Sequence, residues 1–144
     1  MDVSELRKRI LRAIDEARKD AEDRRPMVDE SVKAYEAFLR DIGVPLLLQA
    51  AQVLNATGQT FVVHTPAESV RLAAEKSPDT FIEIELDRSG PQPQVIGRVS
   101  VTRGRQGLVI EERPLAPNRP VAQVTEDDLS AFLVAEVPKL VLKT

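Results

Sequence analysis

The chain predicts an α+β fold: N-terminal helices, an antiparallel meander of four or five strands, and a C-terminal helix packed on one sheet face. Three observations carry that prediction. Apolar residues recur every three or four positions as far as about residue 57. From Thr60 onward they alternate, as in "FIEIELD" and "QVIGRVSVTR". A helical pattern then returns in "TEDDLSAFLVAEVP".

The elements follow in order. Asp2 and Glu5 have the spacing of a capping box, and Val3, Leu6, Ile10, Ala13 and Ala17 form a helical stripe that predicts a helix over 3–24. Asp15 with Lys19, and Asp20 with Arg24, are i,i+4 pairs in the favourable order. Pro26 is expected to stop this helix, because a proline disfavours helical geometry in the residue before it. A second helix is expected from about Asp29, with Val28, Val32, Tyr35, Leu39 and Ile42 inward. Pro45 should interrupt it, and helix should resume through "LLLQAAQVLNATG" with Leu47, Ala50, Val53 and Leu54 inward, so that either one kinked helix or two helices span 29–57. Gly58 suits the left-handed position that ends a helix.

The segment "HTPAESVRLAAEK" reads two ways. Thr65, Pro66 and Glu68 resemble a helix start, yet Val70 and Leu72 would then lie about 200° apart around the helix. As a strand, Val70, Leu72 and Ala74 share one face, and "TPAES" becomes the turn after "TFVVH". The strand is the preferred reading and gives a five-stranded meander. In the expected register Ile82 pairs with Val99 and Val99 with Ile110, while Glu83 and Glu111 flank Arg98 on the open face. The last helix starts at a capping box formed by Thr125 and Asp128, turns Leu129, Phe132, Leu133 and Val137 inward, and closes at Pro138.

The organisation expected is a helical arm at 1–26 and a single α+β domain over 27–144. A chain of 144 residues is long enough to bury a core unaided. With no cysteine, disulfides, thiolate catalysis and cysteine-ligated metals are excluded. Twenty basic against 23 acidic residues, a net charge of −3, give no general affinity for polyanions. The longest uninterrupted apolar run, "VPLLL", is too short to span a bilayer, and the first ten residues lack the apolar core of a leader; a cytoplasmic protein without membrane attachment is expected.

Motifs for chemistry are sparse. His64 is the one histidine and has no identifiable nucleophile or orienting carboxylate beside it in sequence. Glu83, Glu85 and Asp87 share a strand face that has half the oxygens of a hard-cation site, but lacks the loop pattern of a calcium site. Arg103 and Arg105 occupy a glycine-containing hairpin tip of the kind that reaches phosphates, in a chain with too few aromatics for a base-stacking platform. No phosphate-binding loop or nucleophile elbow occurs. No cofactor is expected, and no motif supports an enzymatic activity, though none excludes one. The preferred expectation is a non-catalytic interaction or adaptor protein that self-associates through helical surfaces, with Leu6, Ile10, Arg98, Arg103 and Arg105 as candidate interaction residues. Nucleic-acid binding through Arg103 and Arg105 is the first alternative. A small-molecule or metal-dependent activity around His64, Glu83 and Glu85 is the second.

Overall fold

The computed structural model describes residues 2–142, so the last two residues of the expected domain lie outside it. One helical rod, Val3–Ala56, opens the chain. It comprises α1 (Val3–Phe38), a π-helical turn (Leu39–Gly43) and α2 (Val44–Ala56). Five strands follow: β1 (Phe61–His64), β2 (Val70–Ala74), β3 (Phe81–Asp87), β4 (Gln94–Thr102) and β5 (Leu108–Pro114). They form one antiparallel sheet in sequence order, and α3 (Glu126–Val141) closes the fold. The α+β meander is as the sequence predicts, including β2.

Two helix boundaries differ from expectation. Pro26 lies inside α1 and does not end it. It sits nine residues before Tyr35, about 180° around the helix from that buried side chain. The carbonyl that its missing N–H leaves free therefore faces water, so the break costs less than it would in a core. At Pro45, where the sequence allows one helix or two, the rod is continuous. The chain widens into the π turn just before it, where Val44 N–H donates to Leu39 O, and this accommodates a ring that would otherwise crowd the preceding turn. Pro138 is also internal, since α3 runs on to Val141.

The core lies on one face of the sheet. Val70, Leu72, Ile82, Ile84, Val95, Val99 and Val101 meet Tyr35, Phe38, Leu47, Leu54, Leu129, Phe132 and Leu133 from the helices. In α2 Leu47 and Leu54 are buried and Ala50 packs partly buried against the core, as expected, but Ala51 is buried as well and Val53 is 66% exposed. The rod contains a stretch long and apolar enough to span a membrane by length and composition alone; the charges on either side confine it to the region around α2, which packs Leu47, Ala51 and Leu54 into this core.

Tyr35 ties the rod to the sheet. Its hydroxyl donates to Glu68 O at 2.6 Å and lies 3.3 Å from Ile84 O. Burial, with Glu85 and Glu83 nearby, pushes the phenol well above its ordinary pKa, so it remains a donor. Glu68 adopts φ +65 in the β1–β2 turn, a conformation uncommon outside glycine, and the Tyr35 hydroxyl holds its carbonyl in place. That turn, which the sequence also allows as a helix start, delivers β2 to the core face.

The α3 cap is complete: the Thr125 hydroxyl accepts from Asp128 N–H, and the Asp128 carboxylate accepts from Thr125 N–H. Desolvation opposes ionisation of Asp128, but the Thr125 bonds and Arg119 outweigh it and hold the carboxyl below its ordinary range. A lowered folded-state pKa contributes stability above the unfolded value, lost as pH falls through the folded one. Asp128→Ala should therefore cost about 1–2 kcal/mol at neutral pH, by urea unfolding. The gap from the parent should close as the parent is acidified below the ordinary carboxylate range.

Candidate functional site

The arm is the first region to stand out. Every residue from Val3 to Arg25 is exposed, a fully helical stretch that touches little of the body. At about 1.5 Å per residue it projects roughly 35 Å. Asp2 caps it through Ser4 N–H, and Glu5 and Arg9 form an ion pair at 3.9 Å. Among the described residues this is the one ion pair on the arm, in place of Asp15–Lys19 and Asp20–Arg24. Val3 is 85% exposed, and Leu6, Ile10, Leu11 and Ile14 are all exposed large hydrophobics.

The phase of this stripe is informative. By the 100° turn per residue, Val3, Leu6, Ile10, Ala17, Ala21 and Val28 all lie within about 40° of Tyr35. The face that buries Tyr35 in the body thus continues outward along the arm with nothing among the described residues covering it. Beside that face, where the arm joins the body, runs a shallow groove. Its two segments, ≈ 310 and ≈ 220 Å³, share Ala34, Val121 and Ala122, and extend to Ile42 at one end and Met27 at the other. Arg24 marks the junction by donating to Gly90 O at 2.6 Å.

The open face of the sheet is a charge lattice. Arg71 pairs with Glu83 at 2.8 Å, and the Arg98 guanidinium reaches Glu83 at 3.1 Å, Glu112 at 3.2 Å and Glu85. Arg71 also stacks 4.1 Å above the Phe81 ring. Ala73 and Ile96 are buried on this face outside the main core, as expected where arginine stems lie along apolar surface. Desolvation lowers the pKa of Arg98, but its bond to Glu112 and the charge of Glu85 raise it further than burial depresses it. The lattice is internally compensated. Arg98 is held by three carboxylates and is not free to meet a ligand.

The β4–β5 register differs from expectation by one residue. Ile82 faces Val99 as predicted, but Val99 faces Glu111, and Arg98 is flanked by Glu83 and Glu112. Ile110 consequently points to the open face and is exposed, whereas Val109 lies against the core. The slip places Glu111 and Arg113 under α3, where Lys139 lies 3.7 Å from Glu111 and Arg113 lies 3.3 Å from the buried Glu136. Lys139 also approaches Glu136, at 2.8 Å, and Arg113 caps the Phe132 ring at 4.7 Å.

The remaining candidates do not converge. His64 is exposed at the end of β1 opposite Arg71. Glu83 and Glu85 point into the arginine lattice, and among the described residues no group of three His, Asp or Glu side chains is placed to hold a metal ion. Arg103 lies near Lys139 and Leu142 at the end of α3, and Arg105 stands on the exposed hairpin tip. Neither extends a basic surface from Arg98, whose charge is taken up by Glu83, Glu85 and Glu112. Sequence reasoning misses Arg71, Glu136 and the groove. The alternation of "VRLAA" against "FIEIE" signals Arg71, since antiparallel pairing sets it opposite Glu83; no sequence pattern signals the other two.

No protein-family model, curated protein or solved structure matches this chain.

Proposed function

We propose that this protein is a non-catalytic, cytoplasmic assembly or adaptor protein that self-associates through its projecting helical arm. The observation that carries the reading is the stripe of Val3, Leu6, Ile10, Ala17 and Ala21, which continues the core-facing side of α1 beyond the edge of the body and lies open to solvent. An isolated helix of that length is marginal in water. A rigid arm presenting aliphatic side chains is an exposed patch of the kind that marks an interaction surface. The sheet face supports the same reading in a different way: its charges are satisfied among themselves, so it stays a solvated wall.

The test is Leu6→Lys with Ile10→Lys in the full chain. Both side chains are exposed, so the double variant should melt within about 2 °C of the parent once concentration effects are excluded. Its mass by light scattering should be that of a single chain, 16.0 kDa. A variant that retains the parent's assembled mass would refute the arm as the interface.

A further inference from the structure

We infer that the partner of the arm is a second copy of this chain lying antiparallel to it, with the tip of each arm seated in the groove of the other copy between α1 and the 120–124 segment. This rests on the self-association reading above and gives it a direction and a register. Three observations carry it.

The first is steric. The stripe faces the same way as Tyr35, and the sheet occupies that side of the rod from Tyr35 onward. A parallel second helix packed on the stripe would sit about 8–10 Å away. Its own residues from about 35 onward would then run through the first copy's sheet and α3. An antiparallel helix meets no such obstacle: with Val3 level with Ala34 its tip stops short of Tyr35, and the part of its own rod that the sheet covers, from Tyr35 onward, begins only at the first copy's N-terminus.

The second is charge. Residues 2–14 carry four basic side chains against two acidic ones, and residues 15–30 carry seven acidic against four basic. Antiparallel packing moves the basic tip of one copy away from its like and over residues 23–35 of the other, at the end of that stretch, where Asp23, Asp29 and Glu30 balance Arg24, Arg25 and Lys33. If Val3 of the second copy is placed beside Ala34, its Leu6 falls beside Ser31 and its Ile10 beside Met27. The run Arg7–Arg9 then lies against Asp29 and Glu30, and Glu30 itself lines the groove. Parallel packing would stack the basic tips on one another.

The third is area. A strip roughly 35 Å long and 10 Å wide, the footprint of the arm alone, falls well below the roughly 800 Å² per partner of a standard stable interface. Extending each tip into the groove lengthens the contact at both ends. It also covers Met27, which is exposed, and the apolar floor formed by Ala34, Val121 and Ala122.

The chain has no cysteine, so cross-links can be placed without background. In the register described, Ala13 of one copy faces Arg24 of the other. The double variant Ala13→Cys/Arg24→Cys should oxidise to a covalent dimer in high yield, while Ala13→Cys alone should remain monomeric on a denaturing gel. Within one chain the two positions are about 16 Å apart along the helix, too far for an internal disulfide. In the same series Ala34→Glu, which places a charge in the groove, should weaken the dimer at least tenfold by sedimentation. Cross-linking of Ala13→Cys with itself, at parent dimer mass, would overturn the antiparallel inference and leave self-association standing. An assembled parent in which neither variant cross-links, or in which Ala34→Glu has no effect, would overturn the register or the groove respectively. A monomeric parent would overturn the underlying reading.

Discussion

Gly97→Ala is expected to destabilise this fold by about 3 kcal/mol, toward the upper end of what overpacking a core costs. Gly97 lies in the middle of β4 on the core face, between Val95 and Val99, opposite Ile84 on one side and Arg113 on the other. The Phe132 ring rests directly on its bare backbone: a Cβ built there would approach Cε2 at 2.6 Å and Cε1 at 2.8 Å. The ring cannot step aside, because Phe132 is fully buried and Arg113 stacks on it. α3 must therefore shift outward, straining the Arg113–Glu136 and Lys139–Glu111 pairs that fasten it to β5. The small gain from restricting the unfolded chain, about 0.4–1 kcal/mol, offsets only part of this. A double-mutant cycle with Phe132→Leu should show favourable coupling of at least about 1 kcal/mol, since the smaller side chain vacates the space the methyl needs. Urea unfolding of the four proteins measures it. Additive costs would show that the close approach of Phe132 to Gly97 has no energetic weight.

The second large effect is expected at Glu83. Its carboxylate is 6% exposed and accepts from Arg71 and Arg98, each of which is only partly exposed. Glu83→Ala leaves two guanidinium groups facing one another across β3 without the charge between them. Removing one partner of a buried pair costs about 3–5 kcal/mol, and the partial exposure of both arginines reduces this to roughly 2–3 kcal/mol. Glu112 bonds to the same Arg98, but is half exposed. Glu112→Ala should thus cost less than about 1 kcal/mol, and added salt should shrink that further. Equal costs for the two variants would contradict the picture of a lattice centred on Glu83. The lattice also occupies the charges that an anion or a metal would need.

The strands were legible because their pattern is local. Alternation in "FIEIELD", the turn "RSGPQP" and the opposing phases of Val70 and Leu72 each point to the meander that is found. What was not legible depends on distant partners. The β4–β5 register chosen from the sequence buries Ile110 against Val99, the best local match of apolar residues. The fold instead exposes Ile110 and sets Glu111 and Arg113 beneath α3, where Lys139 and Glu136 meet them. The charge pattern of a helix some 25 residues downstream thus accompanies the register of an edge strand. The prolines mislead for a related reason. Pro26 signals a helix end in any local scheme, but the helix survives it because the disturbed turn faces water; Pro45 is absorbed by a π turn that no residue pattern announces. Of the proposed interaction site, Leu6 and Ile10 were visible as a stripe. That the stripe lies in phase with Tyr35, and therefore faces open space beside the body, needs the continuous rod from Val3 to Ala56.

An exposed helical arm in phase with the core finds its partner, on this reading, in a second copy. The measurement that tests this most directly is light scattering on the full, unmodified chain across a range of concentrations, from about 1 to 100 µM, where interfaces of this type assemble. The account predicts a mass that rises to twice 16.0 kDa and stays there, since antiparallel pairing closes on itself and leaves no arm to recruit a third copy. A mass that remains at 16.0 kDa over the whole range would contradict it.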